Sequence, residues 1–289
     1  MFDIDHLLSL KPILVPPTRR AILKTSLSIG FCAAVSPVSA QTITTSADGL
    51  AVAEVKVKTA DGDIPAYRAM PSGGGPFPTV LVIHEIFGVH EHIKDICRRW
   101  AKLGYYAIAP ELFARQGDAA AEKDMQKLMA DIVGKKPDAE AASDLDATLA
   151  FAKASGSADV GHAAVTGFCW GGRQSWLYAV HNPSLKAAVA WYGPFGGEAS
   201  PMRPKTVLEM IGALKVPMLG LYGGKDQGIP QTQIEQARKE LETTGTGSKI
   251  VVYEEAGHAF NADYRPSYVK SAADAGWKEA TAWLKAHGV

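Results

Sequence analysis

The stretch that decides the fold is Ala163-Ala164-Val165-Thr166-Gly167-Phe168-Cys169-Trp170-Gly171-Gly172. Ala163 to Thr166 reads as a strand and Gly172 to Val180 as a helix, so a cysteine stands on the turn between them, flanked by Gly167 and Gly171. A nucleophile on so sharp a strand–turn–helix junction needs neighbours without side chains, because any Cβ there would run into the strand or the helix. The junction also aims the sulfur at a helix N-terminus, whose dipole favours thiolate over thiol.

Outward from this elbow the chain alternates strands and helices. Upstream, Val52 to Thr59 and Ile64 to Met70 form a hairpin around Asp61-Gly62-Asp63. Thr79 to Ile83 is an uninterrupted apolar run of the kind a strand buried on both faces requires. Helical periodicity covers Glu91 to Leu103, Ala119 to Val133 and Ala139 to Ala154, with a further buried strand at Tyr105 to Ala109. Downstream, strands are expected at Ala187 to Trp191, Pro217 to Tyr222 and Lys249 to Tyr253, and helices at Gln231 to Thr243 and Ala272 to His287. The pattern predicts a single α/β domain over residues 41–289, with a mostly parallel sheet, helices on both faces and an N-terminal hairpin.

In such sheets function gathers at the carboxyl ends of the strands. Two of those ends supply partners for the cysteine. Leu219 to Tyr222 leads into Gly223-Gly224-Lys225-Asp226, and Val251 to Tyr253 leads into Gly257-His258. The order nucleophile, acid, histidine predicts Cys169 as nucleophile, His258 as general base and Asp226 as the group that orients the imidazole. The expected chemistry is attack on an ester or lactone carbonyl, a thioester acyl-enzyme, and hydrolysis by water. The oxyanion then needs two N–H donors. Trp170, the residue after the nucleophile, is one candidate, and Ile86, in the loop after Thr79–Ile83, is the other.

Composition narrows the field. With 289 residues, 47% hydrophobic and 21% charged, Lys+Arg 30 against Asp+Glu 30, the chain is globular and carries no basic excess for nucleic acid. Three Cys exclude a disulfide scaffold. Residues 1–40 read as a twin-arginine export signal. Thr18-Arg19-Arg20-Ala21-Ile22-Leu23-Lys24 is followed by a mildly apolar segment to Val35, well short of the roughly 20 residues of a spanning helix, and by Val38-Ser39-Ala40 as the cleavage pattern. Phe31 before Cys32 does not fit a lipoprotein site. The expectation is contact with the export machinery, a periplasmic or secreted protein, and no stable membrane insertion.

Ile83-His84-Glu85-Ile86-Phe87-Gly88, with Gly-Phe-Cys-Trp-Gly-Gly, Gly-Lys-Asp and Gly-His-Ala-Phe, resembles the dienelactone hydrolase (carboxymethylenebutenolidase) family from about Lys56 to the C-terminus. The resemblance implies a single-domain α/β-hydrolase fold with a cysteine nucleophile, no cofactor and no metal. It also implies that Glu85 contacts the resting thiol and swings away when substrate arrives. The family's carboxylate-binding arginines are not matched. Ala262 stands at one position, and the segment Ala119 to Val133 offers Lys123 and Lys127 at the other. Arg265 is open to two readings, a substitute anchor or a surface residue, and Arg115 is equally a substrate anchor or a structural residue. The expected substrate is a small, dienelactone-like ester or lactone, and one different from the carboxylate-bearing dienelactone fits these positions better.

Phe87, Trp191, Tyr192, Phe260 and Arg265 are expected to border the substrate. His84, His90 and His92 invite a metal reading, but i, i+2 spacing makes His90 and His92 diverge on a helix. Cys97, among Ile93, Ile96 and Trp100, reads as a buried small hydrophobe rather than a redox partner of Cys169. The alternative function, a secreted non-catalytic ligand-binding module, predicts a broken triad. This sequence holds the triad whole.

Overall fold

The computed structural model describes residues 43–289, so the export signal expected over residues 1–40 lies outside the described residues. Strands β1 (Leu50–Thr59) and β2 (Gly62–Pro71) form an antiparallel hairpin. Then come β3 (Phe77–Ile83), α1 (Glu91–Lys102), β4 (Tyr106–Pro110), α2 (Asp138–Ala154), β5 (Ala158–Phe168) and α3 (Trp170–His181). The chain finishes with β6 (Ala187–Trp191), β7 (Met218–Gly223), α4 (Gln231–Thr244), β8 (Lys249–Tyr253) and α5 (Lys270–Ala286).

The strands make one eight-stranded sheet of order β1-β2-β4-β3-β5-β6-β7-β8. The hairpin joins it through an antiparallel β2–β4 pairing, and every pairing from β4 to β8 is parallel. The apolar runs are buried as expected: every residue of β4, β6 and β7 is shielded from solvent. Helices cover both faces, and the alternation along β7 shows how. The Cβ direction of Gly220 points at Trp176 of α3, while the next residue, Leu221, points at Gly276 of α5. Trp277 of α5 packs 4.9 Å from Trp100 of α1, so α1 and α5 share a face.

After β3 the chain crosses to β4 on one side and, later, to β5 on the other. That reversal opens a crevice beyond the carboxyl ends of β3 and β5. Ile83 pairs with Gly167 there, which sets the Glu85–Ile86 loop beside the cysteine elbow.

One expected helix is not formed. In the segment Ala119 to Val133, the only α-helical residues are Met125–Lys127, followed by a π turn over Leu128–Ile132 and a 3-10 turn over Val133–Lys135. Short carboxylates compete with the helix. Asp118 accepts from the N–H groups of Ala120 and Ala121, and Asp124 from those of Gln126 and Lys127. Just beyond it, Lys136 is fully buried, with its ammonium 2.7 Å from both Glu140 and Asp144. Arg115 joins the same two carboxylates at 3.1 and 2.9 Å, so it braces the fold and anchors no substrate.

Candidate active site

Cys169 sits at φ 55°, ψ −115°, in a region that L-residues avoid, and its N–H donates to Trp191 O at 3.0 Å. The two glycines make the turn possible. A Cβ on Gly167 would lie 2.2 Å from Gly171 O, and one on Gly171 would lie 2.4 Å from Ile83 O. The elbow therefore packs backbone on backbone against the end of β3.

His258, in the loop after β8, brings its Nε2 to 3.1 Å from Cys169 Sγ and its Nδ1 to 2.7 Å from Asp226 Oδ2. Asp226, after β7, is fixed by accepting from the Gly228 N–H at 2.8 Å. The three residues expected from the sequence thus form one continuous chain of contacts. Burial draws the His258 pKa down, but the charges of Cys169 and Asp226 outweigh it and raise the value well above the ordinary range. Tyr192 backs the imidazole edge-on at 5.2 Å.

Cys169 opens onto a cavity of about 240 Å³. Ile86 and Trp170 line it, the two expected oxyanion donors. Trp170 is the first residue of α3, where N–H groups have no intrahelical acceptor. The Ile86 N–H donates to no backbone acceptor among the described residues. The loop that carries Ile86 is braced by His84, a role the sequence did not suggest. His84 accepts from the Leu112 N–H at 3.0 Å through Nε2 and contacts Glu85 O at 2.6 Å through Nδ1, which fixes the Nδ1–H tautomer. Its ring stacks on Trp170 at 5.5 Å.

Glu85 is buried, and its carboxylate accepts from the Tyr264 hydroxyl at 2.6 Å. Burial works against its charge, but Arg265, His90 and His92 hold it well below the usual carboxylate range. In this arrangement the sulfur's hydrogen-bonding partner is His258, and Glu85 is engaged with Tyr264.

None of the five residues expected to border the substrate lines this cavity. Trp191 and Phe260 are fully buried and pack on each other at 6.0 Å, with Trp191 also against Phe168 and Trp277. Tyr192 is equally buried, behind His258. Arg265 is neither a surface residue nor part of the cavity wall. It is 6% exposed, stacked 4.6 Å over the Phe87 ring and 5.0 Å over Tyr264. The wall comes instead from two irregular segments, with Met129 and Val133 in one and Pro194 to Thr206 in the other. Cys97 is buried, burial pushes its thiol pKa up, and both described cysteines are free.

A nucleophile elbow after β5, an acid after β7 and a histidine after β8 on such a sheet are the arrangement of the α/β-hydrolases. The chain belongs to the dienelactone hydrolase family, which it matches over residues 64–288, and is a hydrolase of esters or lactones. It is 56% identical over 273 residues to a Methylorubrum extorquens protein named "Putative carboxymethylenebutenolidase", with 94% of each chain covered. An Escherichia coli K12 protein of the same name is 46% identical over 267 residues, 92% of this chain and 98% of that one. A crystal structure from Klebsiella pneumoniae, described as a "Putative Dienelactone Hydrolase", superposes with a TM-score of 0.80 at 48% identity. It covers 82% of this chain and 98% of the other.

Proposed function

We propose that this chain hydrolyses a small ester or lactone through Cys169, His258 and Asp226, by way of a thioester. The observation that carries this reading is the contact chain Sγ–Nε2 at 3.1 Å and Nδ1–Oδ2 at 2.7 Å, opening on a cavity. His258 takes the Cys169 thiol proton as the sulfur attacks the carbonyl carbon, and the carbonyl electron pair moves to oxygen, where the N–H groups of Trp170 and Ile86 receive the charge. Collapse expels the alkoxide, which takes its proton from His258. In a lactone the alcohol stays tethered to the acyl group. His258 then removes a proton from water, which opens the thioester and returns the sulfur. Asp226 holds the imidazole tautomer throughout and stabilises the imidazolium.

Glu85 acts in the same scheme as a gate, exchanging its bond to Tyr264 for one to the thiol when no substrate is bound. A protonated thiol resists peroxide better than a thiolate, so Glu85→Gln is then more peroxide-sensitive than wild type. Residues 1–40 direct export by the twin-arginine route to the periplasm or beyond. Fractionation of expressing cells, with Arg19 and Arg20 changed to Lys, tests this; an unchanged periplasmic fraction argues against it.

The test of the chemistry is hydrolysis of 4-nitrophenyl acetate by wild type beside Cys169→Ala. Loss of activity in the variant, with an acyl adduct of matching mass on wild-type Cys169, is expected. Equal rates in the two proteins would refute the thiol mechanism.

A further inference from the structure

One buried side chain touches both segments that offer an oxyanion donor. His84 follows β3 and is fully shielded from solvent. Its Nδ1–H donates to Glu85 O at 2.6 Å, and that oxygen belongs to the same peptide group as the Ile86 N–H. The group is trans and planar, so its C=O and N–H point to opposite sides. A bond that fixes the carbonyl therefore fixes the direction of the N–H as well, and it also polarises the group and strengthens the N–H as a donor. On its other side the His84 ring lies nearly parallel to the Trp170 indole, at 5.5 Å and 16°. Phe113 packs on both rings, at 4.8 and 4.6 Å. The imidazole is itself held. Nε2 accepts from the Leu112 N–H at 3.0 Å, and since an amide N–H only donates and a carbonyl only accepts, the two bonds admit one neutral tautomer. Burial lowers the His84 pKa and keeps the ring neutral, against the opposing charge of Glu111, whose Oε1 lies 3.4 Å from Nε2. Glu111 in turn accepts from the N–H groups of Val89 and Phe113, at 2.6 and 3.2 Å, and so ties down the far end of the same loop.

We infer that His84 is a positioning residue for the reaction: it sets the plane of the Glu85–Ile86 peptide and its spacing from Trp170. The two backbone N–H groups then converge on the oxygen that gains charge when Cys169 attacks. The inference rests on the Cys169 reading above and adds a residue to that site. His84 does not line the cavity, so it acts through the two donors and not on the substrate. Its loss weakens the transition state, where the oxygen is charged, far more than the bound ester, where it is not. The sulfur keeps its own contact to His258 in either case.

The experiment compares wild type with His84→Leu and His84→Asn, two variants of nearly equal size. Both lose the ring and the acceptor for Leu112, but the asparagine amide can still donate to Glu85 O from the place of Nδ1. Two rates are read on each protein: hydrolysis of 4-nitrophenyl acetate, and alkylation of Cys169 by iodoacetamide followed by mass. Alkylation needs the sulfur and His258 but forms no oxyanion. In His84→Leu, kcat is expected to fall by about 100-fold, with KM within about threefold of wild type. His84→Asn regains about five- to tenfold of that loss. Alkylation stays within about twofold of wild type in both, because the thiol is untouched. If His84→Leu does not fold, His84→Asn decides by the same split between a lowered kcat and an unchanged alkylation rate. A His84→Leu with wild-type kcat, or hydrolysis and alkylation that fall together, overturns the inference. Wild type separates the two readings. If it still hydrolyses the ester once Cys169 is fully alkylated, the nucleophile assignment fails. If alkylation abolishes hydrolysis and the His84 variants match wild type, only the role of His84 fails.

Discussion

Replacing Gly171 by alanine puts one methyl group between the elbow and β3. The new Cβ would stand 2.4 Å from Ile83 O and 2.5 Å from His84 O, both backbone atoms. Ordinary contact begins about 1 Å further out, so the end of β3 and the elbow must separate by roughly that distance. Overpacking of this kind costs about 1–3 kcal/mol. For a domain of this size about 2 kcal/mol lowers Tm by about 4–8 °C. The loop after Ile83 carries Ile86, so the same displacement pulls one oxyanion donor off its mark. Loss of such a donor costs about 100- to 1,000-fold in kcat. Thermal unfolding followed by circular dichroism, together with kcat on 4-nitrophenyl acetate, reads both effects. Gly212→Ala is the control, because nothing lies within 4 Å of its Cβ position. A Gly171→Ala protein with the wild-type Tm and kcat would refute the claim that close backbone packing holds the two donors together.

Two further outcomes follow from the same geometry. Asp226→Asn leaves the fold intact but removes the acceptor that fixes His258, and kcat is expected to fall by about 10³–10⁴, measured on the same ester. Glu85 is held in its charged form in the folded state, below its ordinary pKa of 4.5. Its contribution to stability is therefore complete above that value and is lost as the pH falls towards and below it. The stability gap between wild type and Glu85→Gln, from denaturant unfolding, should hold above about pH 5 and narrow as the pH falls from there towards about 2; a gap that stays constant would contradict the assignment.

The sheet was readable because its inner strands carry continuous apolar runs, as at Thr79–Ile83 and Ala187–Trp191, which only a strand covered on both faces tolerates. The meeting of Cys169, His258 and Asp226 was readable because each follows its own strand. What escaped was the cavity. Trp191, Tyr192 and Phe260 are near the elbow and the histidine in sequence, but proximity in sequence does not say which way a ring points. Trp191 ends β6 facing α5, where a Cβ on Gly276 would come within 2.5 Å of its ring. The true walls lie in segments without period: the turns after Asp124, shaped by side-chain capping, and the stretch from Gly196 to Thr206, which has no regular structure at all. Arg203 is on that stretch, and its bond to the Val133 backbone oxygen is a long-range contact that no one-dimensional pattern carries.

The bracing of the cavity has an engineering consequence. In the proposed mechanism, bond breaking falls to residues at the ends of β5, β7 and β8, which are fixed by the ladder of the sheet. The cavity wall is left to two irregular segments, tied down through the backbone oxygens of Val133 and Met202, which accept from Arg203 and from the Asp138 N–H. The two duties share almost no covalent frame. Exchanging the ribbon from Gly196 to Thr206 for one of another length and charge would re-address the hydrolase to new molecules and leave its reactive centre where it stands.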